Sequence, residues 1–159
     1  MVGTIVGDFT PGTRYTLMKM GELRAGVFIC IESAYPSIAR SFTQDGADVL
    51  INISNDGYLG PTAVMRQHLA NVVFRAVENG RPILRVTNSG ITAYITERGE
   101  VIDPTEGFQS DVRIWNVGRP LNASTFYSRH GDLFVAFISA ISVLVFGATF
   151  WRRKLVSRG

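Results

Sequence analysis

Leu133 to Trp151 constrains this chain more than any other stretch. It is 19 residues without a charge or a proline. Crossing the hydrocarbon core of a bilayer takes about 20 such residues. The run is apolar on every side, which excludes an amphipathic helix lying on a soluble core. It predicts a transmembrane helix over 133–151, with a buried terminal helix as the alternative. Asp132 precedes it, and Arg152, Arg153 and Lys154 follow. By the positive-inside rule 152–159 is a basic cytoplasmic tail, and the chain before 133 lies on the outer face. Phe126, Tyr127 and Trp151 suit interfacial positions. The net charge is +3, and the tail holds much of it. The body is near neutral, so no nucleic-acid partner is expected.

The second organising stretch is Gly26-Val27-Phe28-Ile29-Cys30-Ile31-Glu32-Ser33-Ala34-Tyr35-Pro36. Ala25 to Ile29 is a continuous apolar run, the mark of a strand covered on both faces. It leads into Cys30, the one cysteine of the chain, and a helix is expected to begin near Pro36. A thiol is thereby placed at a strand-to-helix turn, where nucleophiles are presented. Helix-start N–H groups favour the thiolate. Glu32 is close enough to share the site. The alternative is a small buried hydrophobe, as most free cysteines are. A lone cysteine on the outer face cannot form an internal disulfide and is a candidate reactive thiol.

Pro36 to Gln44 reads as a short helix with Ile38, Ala39 and Phe42 on one face. Asp48 to Ser54 is a second buried strand, and the loop Asn55-Asp56-Gly57-Tyr58-Leu59-Gly60-Pro61 starts where it ends. Both strand ends should meet at one crevice, where ligand sites of open α/β sheets gather. Thr62 to Asn79 is the strongest helix: Met65, Leu69, Val72, Val73, Ala76 and Val77 share a face, and Gly80 caps it. Arg66, Arg75 and Glu78 fall outside that stripe and read as a solvated face. His68 borders the stripe and reads as a satisfied boundary histidine. Strands are expected at Ile83 to Thr87, Ile91 to Thr96 and Val101-Ile102, the last two as a hairpin around Glu97-Arg98-Gly99-Glu100. An edge strand is expected within Phe108 to Val117, then a polar and aromatic connector from Leu121 to Asp132. Met1 to Arg24 is poorly patterned, with a turn signal at Asp8 to Thr13 and no signal-peptide pattern. So buried a first strand implies flanking strands and a chain that begins mid-domain. His68 and His130 have no companion cysteines, so no metal site is expected.

Gly26 to Glu32, Leu50 to Gly60, Gln67-His68, Arg75 to Pro82 and Thr87 to Ile91 together resemble the carbon–nitrogen hydrolase (nitrilase) superfamily. Within it they resemble the bacterial apolipoprotein N-acyltransferases, and the terminal apolar helix favours that branch. The resemblance implies an α/β fold: a partial nitrilase-like α/β/β/α sandwich followed by one C-terminal transmembrane helix. Residues 1–24 would be an incomplete N-terminal segment, 25–120 the C-terminal part of the hydrolase domain, 121–132 a juxtamembrane connector and 133–151 the membrane helix. The implied location is the bacterial cytoplasmic (inner) membrane, with the domain on its periplasmic face. The implied reaction moves an acyl chain from a phospholipid donor to the N-terminal amine of a diacylglyceryl-cysteine lipoprotein, through a cysteine thioester and without cofactor or metal. Cys30 matches the nucleophile and Glu32 the glutamate two positions on. The Ile31 N–H would hold the oxyanion, and Asn55, Asp56 and Tyr58 would border the pocket. Arg75 and Glu78 match a helix signature that implies an ion pair facing other parts of the fold.

The match departs from the family in several places. Ile31 stands where tyrosine is common, and Gly57-Tyr58-Leu59 where Ala-Trp-Phe is usual. The family's base glutamate and its lysine precede the cysteine by far more than Glu22 and Lys19 do, so neither residue is assigned. The chain alone is therefore expected to be inactive. The alternatives are a membrane-tethered amidase and a non-enzymatic, membrane-anchored remnant or subunit.

Overall fold

The computed structural model describes residues 12–120 and 124–156. Six strands form one sheet in chain order: β1 (Leu17–Met20), β2 (Leu23–Ile29), β3 (Val49–Ser54), β4 (Ile83–Thr87), β5 (Ala93–Ile95) and β6 (Val101–Ile102). The three central strands run parallel, with Ile29 beside Ile53 and Ile53 beside Val86. The flanking pairs β1–β2, β4–β5 and β5–β6 are antiparallel. Helix α1 (Pro36–Gln44) and helix α2 (Ala63–Asn79) connect the parallel strands and cover one face. The core lies between them, where Phe28, Leu50 and Ile83 meet Ala39, Phe42, Val72 and Ala76. The other face carries Met18, Ile29, Ile53, Val86 and Ile102, all 40–62% exposed. This is the half sandwich expected: one helix-covered sheet with its second face bare.

Proline at the first position starts α1, where its missing N–H costs nothing. Gly80 ends α2 in the left-handed conformation (φ 59°), and its N–H bonds Ala76 O and Val77 O. L side chains rarely adopt that conformation, which is why glycine stands there.

Four expectations are corrected. The poorly patterned segment before β2 contains β1, joined to β2 through Gly21 at φ 60°; the turn signal from Asp8 lies mostly outside the described residues. Phe108 to Val117 forms no strand. Phe108 sits at φ 64°, and Arg113 is drawn to Asp103 (3.0 Å) and Asp111 (2.5 Å). The expected connector contains helix α3 (Phe126–His130), capped by Thr125, which accepts the Ser128 N–H. Arg75 is not on a solvated face but buried, bonded to both carboxylate oxygens of Glu78 at 2.7 and 2.6 Å. The ion pair implied by the family resemblance is thus present.

Helix α4 (Leu133–Val156) extends past the apolar run into the basic segment. Arginine and lysine are good helix formers, and each added residue gains a backbone bond. Its window Leu133–Phe150 has mean hydropathy 2.4 and is wholly unburied. By length and composition it can cross a membrane.

Candidate active site

The site is built where β2 and β3 end side by side. After Ile29 the chain turns through one 3-10 turn, Cys30–Ala34, before α1 begins. Cys30 occupies the left-handed region at φ 50°, an uncommon place for a residue with a side chain. Three side chains hold this turn. Glu32 Oε2 accepts the Ile29 N–H at 2.6 Å. Arg75 Nη1 donates to Ser33 O at 3.1 Å. Asn52 Nδ2 donates from below to Phe28 O (3.4 Å) and Cys30 O (3.5 Å).

The thiol is partly exposed and lies 3.4 Å from the Tyr58 hydroxyl. Burial pushes it up. Hydrogen bonds from Ser54, Tyr58 and the Ile31 N–H outweigh that, and the group sits below the ordinary thiol range; the charge of Asp56 opposes them. The same contact pushes Tyr58 up, since the thiolate is stabilised by its proton. Ile29 and Ile31 beside it in the chain and Tyr58 at the sulfur, all 51–70% exposed, leave the surroundings of the thiol largely apolar and open to solvent.

The six residues singled out from sequence thus divide. Cys30, Ile31 and Tyr58 come together at the sulfur. Glu32 is turned to the backbone of its own turn. Asn55 Oδ1 accepts from Gly57 N (3.1 Å) and Asn88 Nδ2 (2.7 Å), which shapes the loop. Asp56 is fully buried under the thiol. Its Oδ2 takes Arg85 Nη2 at 2.7 Å, and its Oδ1 takes Ser54 Oγ at 2.5 Å beside His68 Nδ1 at 3.3 Å. Sequence reasoning missed Asn52, Ser54 and Arg85. The available signal was a polar residue at helix-facing positions of otherwise apolar strands, Val49-Leu50-Ile51-Asn52-Ile53-Ser54 and Ile83-Leu84-Arg85-Val86-Thr87. Among the described residues, no group of three His, Cys, Asp or Glu side chains is placed to hold a metal ion.

The sequence model of the carbon–nitrogen hydrolase family matches residues 6–125. The chain belongs to the carbon–nitrogen hydrolase family. Its relatives include proteins named apolipoprotein N-acyltransferase. One from Geobacter metallireducens is 36% identical over 151 residues, 95% of this chain and 29% of that protein. One from Thermotoga maritima is 34% identical over 142 residues, 86% of this chain and 27% of that protein. The chain therefore spans less than a third of the length of these relatives. Solved carbon–nitrogen hydrolase and amidase structures share the fold over much of the chain. A Helicobacter pylori carbon–nitrogen hydrolase matches with TM-score 0.57 at 19% identity, over 64% of this chain and 43% of that one. An amidase from Nesterenkonia sp. AN1, which carries the acetamide moiety of fluoroacetamide on its active-site cysteine, matches with TM-score 0.51 at 19% identity, over 62% of this chain and 40% of that one. These likenesses show a nitrilase-like fold.

Proposed function

We propose that the chain carries the nucleophile-bearing part of an apolipoprotein N-acyltransferase, with Cys30 as the acyl carrier. The observation that carries this reading is the Cys30 thiol itself: lowered, held at a left-handed turn and open to solvent among apolar side chains. A relative of that name, 36% identical over 95% of the chain, supports it.

In this reading the Cys30 thiolate attacks the carbonyl carbon of a phospholipid acyl ester. The carbonyl oxygen takes the negative charge, and the Ile31 N–H beside the sulfur helps hold it. The ester C–O bond breaks, the leaving oxygen takes up the proton that the thiol released on ionising, lysophospholipid departs, and a thioester remains on Cys30. The terminal amine of a lipoprotein then attacks the thioester, loses a proton and becomes an amide as the thiolate departs. Tyr58 and Asn55 border the acyl site, Asp56 supports it from below, and Glu32 acts through the turn without touching substrate. Helix α4 crosses the cytoplasmic membrane of a bacterium, with the sheet on the outer face and 152–159 inside; its unburied apolar surface and the following charges support this. The units 25–120, 121–132 and 133–151 then divide the work between chemistry, connection and anchoring.

Among the described residues, the side chains that act on Cys30 Sγ at close range are hydroxyls: that of Tyr58 at 3.4 Å, and that of Ser54. A hydroxyl is a poor proton acceptor at neutral pH. The chain by itself is therefore expected to turn over slowly or not at all.

The test is thioester trapping. The chain in detergent is mixed with phospholipid labelled in one acyl group, alone or with the part of the Geobacter metallireducens relative that this chain does not match. Hydroxylamine-sensitive label that needs the added remainder and is lost in Cys30→Ala is expected. Label on the chain alone would remove the inactivity. Label in neither case would remove the acyl-transfer reading.

A further inference from the structure

We propose that Arg85 is a positioning residue for the nucleophile, tying together the two strand ends from which the Cys30 site is made. The inference rests on Cys30 being that nucleophile. Arg85 stands on β4 at the same sheet face as Ile83 and is wholly buried. A guanidinium in that position must have its donors paired. Nε donates to Ile91 O at 3.2 Å, Nη1 to Asn52 Oδ1 at 2.5 Å and Nη2 to Asp56 Oδ2 at 2.7 Å.

Each arm of this fork reaches one half of the site. Arginine only donates, so Asn52 must turn its oxygen to Arg85. The Asn52 amino group then faces Phe28 O and Cys30 O, and the amide cannot flip without setting donor against donor. The other arm holds Asp56, and through it Ser54 and the loop that brings the Tyr58 hydroxyl to the sulfur. Space closes the pair as well: a Cβ on Gly90 would collide with Asp56 Oδ2.

Charge makes the same point. Asp56 opposes ionisation of the thiol, and Arg85 is the buried cation that balances it. The other titratable or charged groups around the turn are Tyr58 at the thiol, His68 behind Asp56, Glu32 and Tyr35 on the turn, and Arg75 from α2 with its partner Glu78. Among the described residues, Arg85 is the cation bonded to both Asn52 and Asp56. A residue of purely structural value would stabilise the sheet and leave the reactivity of a folded Cys30 alone.

Alkylation of Cys30 by iodoacetamide reads this directly, on the full chain in detergent, as rate against pH. Arg85→Gln keeps hydrogen bonding and drops the charge. Its midpoint is expected to rise by about one pH unit. Arg85→Lys restores the cation and is expected to return within about half a unit of the native value. Thermal melts by circular dichroism establish which variants are folded. If Arg85→Gln does not fold, Asp56→Asn replaces it with the opposite sign, because a cation left without its anion lowers the midpoint. A folded variant of either kind with the native midpoint overturns the proposal. Alkylation needs no lipid, so the outcome is independent of the acyl-transfer test. A shifted profile in a chain that never takes acyl label would keep Arg85 in its role and remove only the substrate.

Discussion

Two buried regions share the helix-covered face of the sheet, and they are built on opposite terms. Toward the start of the parallel strands β3 and β4, Leu50 and Ile83 pack with Phe28, Val72 and Ala76 as hydrocarbon. Toward their ends, Asn52, Ser54, Asp56, His68 and Arg85 are buried as deeply, but as a bonded polar floor beneath Cys30. The first region depends on volume: any apolar side chain of the right size fills it at modest cost. The second depends on pairing: a change that keeps every atom in place but alters one charge strands its partner. A site that must present a thiol at φ 50° needs the second kind, because directional bonds fix a turn and dispersion contacts do not.

The sharpest way to break this contrast is Asp56→Asn, which is isosteric. It leaves Arg85 buried without a counter-charge and is expected to cost about 3–5 kcal/mol by urea unfolding. A loss under about 1 kcal/mol would make the floor as tolerant as the core. Leu50→Ala comes next. The methyl groups removed and the cavity left are expected to cost about 2–5 kcal/mol, with the pH profile of Cys30 alkylation unchanged in the folded protein. A shifted profile would mean that the two regions are not independent.

The thiol supplies a smaller effect. Native alkylation should turn on with a midpoint below that of a free cysteine, because the folded thiol is lowered. Tyr58→Phe removes one of the hydrogen bonds that lower it, so the midpoint should move up, by less than about one unit. A downward shift would show that Tyr58 hinders the thiolate. The smallest change is Ile83→Val in the core, expected to cost about 0.5–1.5 kcal/mol. Differential scanning fluorimetry of this variant beside Asp56→Asn would place the two regions on one scale.

Much of the frame was legible in the residue pattern. Pro36 and Gly80 mark the ends of α1 and α2, and both helices lie where the apolar stripe places them, because caps and periodicity act within one or two turns. The meeting of Cys30 with the Asn55–Tyr58 loop was legible too, since parallel strands bring their ends to one edge. β1 was not: four residues with mixed burial carry too little alternation to stand out. The strand expected within Phe108 to Val117 failed for a related reason. Its pattern suits an edge, but Arg113 bonds to Asp103 and Asp111 instead, and those pairings have no periodicity to read.

By itself the sequence determined the α/β order, the position of the lone thiol at a strand end and one helix apolar enough to cross a bilayer. These follow from neighbours along the chain. Only the tertiary structure decided the rest. Arg75, outside its helix's apolar stripe, is buried because Ser33 O, 42 residues away, accepts a hydrogen bond from its Nη1. Arg85 lies inside because Asn52 and Asp56, 33 and 29 residues away, meet it there. Even Glu32, within reach of the thiol in sequence, spends its carboxylate on Ile29 N–H. The burial of a polar group depends on whether its partner arrives, and that partner's place in the sequence follows no local rule.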